Sequence, residues 1–112
     1  MKTSKLQGAA LDWAVAKCEG HNVRKQPSGF LFLMDRERQI AQWKPSDAWA
    51  QGGPIIERER IQFRSEQHTQ YRAFMGQFGS EGVGPTHLIA AMRCYVASKF
   101  GDEVDIPQEL QC

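Results

Sequence analysis

Trp43 and Trp49 flank the turn-forming residues Pro45, Ser46 and Asp47. An indole offers a flat π-face on which a base or another planar ligand can stack. Asp47 beside it can accept that ligand's N–H or hydroxyl donors, and Ser46 shares the turn. The same pattern has a structural reading, in which both rings cover the open edge of the core, because aromatics dominate burial energetics. Downstream, Glu57-Arg58-Glu59-Arg60 alternates in charge. One reading is an exposed strand with cross-strand ion pairs, each worth little. The other turns an arginine toward a groove, where its planar fork grips a phosphate or carboxylate bidentately. Arg72 and Arg93 would join it if their elements are neighbours. Trp13 lies further from the apolar stripe of its helix than Leu11 or Val15, and an exposed tryptophan suggests a partner surface.

No catalytic motif is present. The chain has no P-loop, no Gly-x-Ser-x-Gly, no His-Glu-x-x-His and no paired His/Cys set, so no catalytic residue, metal ligand or cofactor site is assigned. His21, His68 and His87 fall in three separate loops or helix ends and read as solvated side chains. Cys18, Cys94 and Cys112 are odd in number and lack CxxC spacing, which argues against a disulfide scaffold or a zinc knuckle. Cys18 and Cys94 fall on predicted helices and read as core. Cys112 reads as a frayed end.

These residues must be positioned by the elements around them. The spacing of Leu11, Ala14, Val15 and Cys18 predicts a helix over Ser4–Glu19, capped by Ser4 and closed by Gly20. A short strand around Val23, a buried strand over Phe30–Met34 and a partner over Gln39–Trp43 follow, the last two forming a hairpin. Ser46 or Asp47 caps a single helical turn, which Gly52-Gly53-Pro54 breaks. Ile55–Phe63 alternates at its end and reads as a strand, as does Tyr71–Met75, while Gly76–Gly84 reads as a loop. Thr86 caps a last helix with a stripe of Leu88, Ala91, Met92, Tyr95 and Val96, closed by Gly101. The expected architecture is α+β: one small antiparallel sheet packed with two amphipathic helices in two layers.

A chain of 112 residues supports a single domain over residues 1–112. Its formal net charge of +1 provides no global field toward nucleic acid or an anionic membrane, so nucleic-acid binding is disfavoured. No run approaches the roughly 20 apolar residues of a membrane span, and the N-terminus lacks a secretory apolar core. These features point to a cytosolic protein with reduced thiols.

Three stretches, Gly8–Gly20, Pro45–Arg60 and Leu88–Val104, resemble the NinX-like family of phage accessory proteins. The resemblance implies a phage-encoded protein in the cytoplasm of the infected bacterial host and brings no catalytic residues with it. The order of helix, Gly20 to Val23, apolar strand, Trp43 to Trp49, and strand is similar to phage anti-defence sponges of the Thoeris type. That similarity implies an oligomer that sequesters a cyclic nucleotide immune signal without cleaving it. The expectation is therefore a non-enzymatic homo-oligomer that binds a small anionic ligand. Trp43, Ser46, Asp47 and Trp49 would hold its planar part, and Arg58, Arg60, Arg72 and Arg93 its phosphates. The alternative is a protein–protein inhibitor or regulator of a host or phage protein, docking through Trp13.

Overall fold

The computed structural model describes residues 1–76 and 79–111; the fraying expected of Cys112 lies outside the described residues. After a 3-10 turn at Thr3–Lys5 the chain forms α1 (Gly8–Glu19), β1 (Val23–Lys25), β2 (Leu31–Asp35), β3 (Arg38–Gln42), α2 (Trp49–Glu59), β4 (Gln62–Gln67), β5 (Gln70–Phe74), β6 (Glu81–Gly84) and α3 (His87–Phe100), then a 3-10 turn at Gln108–Leu110. The architecture is α+β, with three helices and two three-stranded antiparallel sheets, ordered β1-β2-β3 and β4-β5-β6. The sheet therefore divides in two, and a third helix joins the two expected.

The helix α3 is the centre of the fold. Its apolar stripe is buried from Leu88 to Val96, and it packs against α1, α2, β5 and β6. Burying such a stripe, at about 25 cal/mol per Å², is the main force joining these elements. Thr86 caps α3 as expected, its Oγ1 accepting the Ile89 amide at 3.1 Å. The strand β6, in a stretch expected as loop, exists because its glycines admit the helix: a Cβ on Gly82 would lie 2.4 Å from the Ala90 carbonyl and the Cys94 amide. Glycine there removes the only atom that would hold strand and helix apart. Arg93 ties the same helix to both neighbours, donating to the carbonyls of Leu6 at 2.8 Å and Val83 at 2.7 Å.

The helix α2 departs most from expectation. Of the strand expected over Ile55–Phe63, Ile55–Glu59 is helical, because Trp49–Glu59 runs as a helix through Gly52, Gly53 and Pro54, and Gln62 and Phe63 begin β4. Pro54 removes one helical hydrogen bond, but it is exposed, as is Ala50, whose carbonyl it would have paired, so water can satisfy the freed oxygen. Burial of Ile55 and the seating of Gly52 then outweigh the weak intrinsic propensity of the segment. Arg60 ends α2 in a left-handed conformation with φ of 55°. The amides of Arg60 and Ile61 return to the carbonyls of Glu57 and Ile56, a Schellman closure.

The first residues of the chain meet the segment that follows α3. The Thr3 amide donates to the Asp102 carbonyl at 2.8 Å, its hydroxyl donates to the Gly101 carbonyl at 2.6 Å, and Lys2 bridges Glu103 as an isolated antiparallel pair.

Candidate functional site

The Pro45-Ser46-Asp47 turn is fixed from both sides before any ligand is considered. From α1, Asp12 Oδ1 accepts the Ser46 amide at 2.9 Å, and the Asp12 carbonyl accepts the Trp43 indole N–H at 2.8 Å. From α2, Gln51 Oε1 accepts the Lys44 amide at 2.7 Å, and its Nε2 donates to the Gln42 carbonyl at 2.6 Å. Gly52 lets α2 lie on the turn, since a Cβ there would sit 2.5 Å from the Pro45 carbonyl oxygen and 2.6 Å from Leu88. The amides of Asp47 and Ala48 close the turn on the Lys44 carbonyl.

A groove opens on each side of this turn. The first, of about 420 Å³, lies between the start of α1 and the β2–β3 hairpin and includes Asp12, Phe30, Lys44, Ser46 and Asp47 in its wall. The second, of about 370 Å³, runs between Trp49 and the start of α3, with Asp47, Tyr71, Thr86 and His87 in its wall. Ser46, Asp47 and Ile89 belong to both. Phe30 and Trp49 stand on the rims and are 56% and 58% exposed. His87 stacks on Tyr71 with ring centroids 4.0 Å apart and meets Phe63 edge-on at 5.0 Å.

The two tryptophans thus have different roles. Trp43 is 6% exposed and is held by its N–H bond, with His21 edge-on at 5.1 Å. It is packed into the core and lends only a small part of its ring to the wall of the first groove. Trp49 is free to do so. Ser46 is buried and presents its backbone to Asp12, while Asp47 is exposed in both grooves.

Asp12 is the unusual group of the site. It is 5% exposed, and burial pushes its pKa up to about 6 against the opposing hydrogen bonds from Ser46. A carboxylate this dehydrated strongly favours any further N–H or O–H donor brought to it.

None of the four arginines expected at the phosphates lines either groove, and three of them are engaged elsewhere. Arg58 sits at the end of α2 and forks onto Glu19 at 3.0 and 2.6 Å while its Nε reaches Glu59 at 2.8 Å. Burial raises the Glu19 pKa, but the Arg58 and Tyr95 hydrogen bonds outweigh it and the net shift is downward. Arg72 is held between Glu66 and Glu81, and Arg93 is spent on two backbone carbonyls. Arg60 is the exposed residue that closes α2. The alternating charges that suggested a strand edge therefore lie on a helix end, where Arg58 ties α2 to α1 through Glu19. The cation that faces the first groove is Lys44.

Trp13 is half-buried beside Lys17, whose ammonium lies 5.2 Å from the ring centre. With Met1, Phe100 and Val104 it borders a separate cleft of about 610 Å³. Cys18 lies on α1, and burial pushes its thiol up to about 12; Cys94 is buried on α3. Among the described residues no three His, Cys, Asp or Glu side chains gather as a metal site, and no helix is long and apolar enough to cross a membrane.

Asp12, Phe30, Lys44, Tyr71 and His87 did not stand out in the sequence. An aspartate inside an apolar helical stripe was the available signal for the first of them, because a lone carboxylate on a core face demands a partner.

A family model described as Bacteriophage P22, NinX matches residues 2–99 of the chain. No curated protein matches it.

Proposed function

The chain belongs to the bacteriophage P22 NinX family, and from that premise we propose that it is a non-enzymatic accessory protein that captures a small, planar, anionic ligand in the host cytoplasm. A nucleotide-type immune signal, sequestered without cleavage, fits this description. One observation carries the reading: two exposed aromatic rings, Phe30 and Trp49, overhang two grooves that meet at one rigid turn. Exposed aromatics of this size on a preformed concave surface are a recurrent arrangement for stacking a base. Lys44 supplies a cation. The first-turn amides of α1, which no side chain caps, add partial positive charge.

Calorimetric titration with mononucleotides, cyclic dinucleotides and cyclic ADP-ribose isomers tests this. At least one class should bind, and Trp49→Ala should weaken it about tenfold or more, the loss of one stacked base. A second reading is favoured by the cleft beside Trp13, where Met1 and Phe100 are also exposed: a docking face for a host or phage protein. If no nucleotide binds, and a pull-down recovers a protein with wild type but not with Trp13→Ala, the ligand-capture reading falls and the docking reading replaces it.

A further inference from the structure

Resting on the ligand-capture reading, we propose that the groove beneath Phe30 is a base subsite selective for a heterocycle with two adjacent N–H donors on one edge, the chemistry of guanine, and that Asp12 is the residue that selects it. The argument starts from an incomplete account at Asp12. An ionised carboxylate accepts at about four lone-pair positions. Here one amide, that of Ser46, donates to Oδ1 at 2.9 Å, and the Ser46 hydroxyl lies beside the same group. Among the described residues no lysine, arginine or histidine forms an ion pair with it. A carboxylate 5% exposed is costly to keep charged with so few donors. Yet Asp12 is not sealed in the core: it forms part of the wall of an open groove.

The rest of that wall suits a flat partner. Phe30 stands on the rim and is free to cover a ring. A guanine presents N1–H and the 2-amino group side by side, matching the two oxygens of a carboxylate in the bidentate manner that makes such pairs selective. Adenine puts an acceptor at N1 and would leave Asp12 dehydrated and opposed by a lone pair. The second groove has no buried carboxylate, since its Asp47 is exposed. Stacking on Trp49 there accepts any base. The two sides of the turn thus divide the work, one selecting and one holding.

The experiment compares GMP, IMP and AMP by calorimetry at pH 7.5 with wild type, Asp12→Asn, Phe30→Ala and Trp49→Ala. GMP should bind about tenfold or more tighter than AMP, the value of a charge-assisted hydrogen bond, with IMP, which lacks the 2-amino group, between them. Asp12→Asn should remove the GMP advantage. Phe30→Ala should weaken GMP more than AMP, and Trp49→Ala should weaken AMP. In wild type, with no substitution at all, the GMP advantage should shrink as pH falls through about 6, where Asp12 takes up a proton. Asp47, Lys44 and His21 are the other titratable groups of the surrounding elements, so the Asp12→Asn profile serves as the control. Equal affinity for GMP and AMP overturns the subsite assignment, and so does an advantage that survives Asp12→Asn or acid pH; nucleotide capture stands in both cases if Trp49→Ala still weakens binding. Competition by arginine methyl ester as effective as GMP assigns the groove to a guanidinium and also overturns it. If no nucleotide binds, this inference and the capture reading fall together.

Discussion

Trp43 and Trp49 bracket one turn, yet they belong to opposite kinds of surface. Around Trp43 the turn is pinned: the indole N–H donates to the Asp12 carbonyl, the Ser46 amide donates to the Asp12 carboxylate, and His21 lies edge-on to the ring. Around Trp49 the ring is largely bare, and the neighbouring Asp47 faces solvent. The difference does not come from residue type or local sequence. It comes from what each position meets after folding: Trp43, just past β3, hydrogen-bonds to α1, and Trp49 begins a helix whose packed face is Gly52 and Ile55. A turn can be held rigid on one side so that the other side is free to bind.

Four changes would break or sharpen this contrast. Trp43→Ala removes a core ring and leaves the Asp12 carbonyl without its donor. It should cost about 3–5 kcal/mol, seen as a large fall in the urea midpoint. An unchanged midpoint would place Trp43 in the same class as Trp49.

The second change is acid titration of the wild type. The folded-state pKa of Asp12, about 6, is raised above the ordinary carboxylate value of 3.8. The folded state therefore holds its proton more tightly. The associated stability is fully present below pH 3.8 and is lost as pH rises through about 6. This one group should make the protein on the order of 2–3 kcal/mol less stable at pH 7.5 than at pH 4. Asp12→Asn should flatten that slope in melts recorded across the range, and a slope identical in both proteins would refute the assignment.

Gly52→Ala tests how closely α2 must approach. The added carbon meets a backbone carbonyl, which cannot move aside cheaply, so a loss of about 1–3 kcal/mol is expected in the same denaturation assay. Trp49→Ala is the smallest in stability. An exposed ring at a helix start should change the midpoint by less than about 0.5 kcal/mol, while its effect on ligand titration is large.

Much of the α+β class was legible from side-chain periodicity. The stripes of α1 and α3, the Thr86 cap and the β2–β3 hairpin follow from spacing that burial enforces locally. The helix α2 was not, because Gly52, Gly53 and Pro54 argue against a helix when read alone. Only the contact between Gly52 and Pro45, set by tertiary packing, makes glycine the right residue there. β6 was hidden for the same reason, since Gly82 looks like a loop residue until α3 is laid against it. In the site, the turn between Trp43 and Trp49 was legible as a turn, but the environments of its residues were not. Arg58, Arg72 and Arg93 looked like free phosphate ligands because sequence does not show which carboxylate or carbonyl reaches them first.

The clasp between Thr3 and Gly101–Asp102 gives the molecule the connectivity of a ring. Those contacts join positions 98 residues apart, so they form only after nearly the whole contour has been gathered, at a loop-closure entropy that grows with its length. The order of events in folding is constrained accordingly: the β4–β5–β6 meander, made of neighbours in sequence, can assemble early, and the clasp comes last.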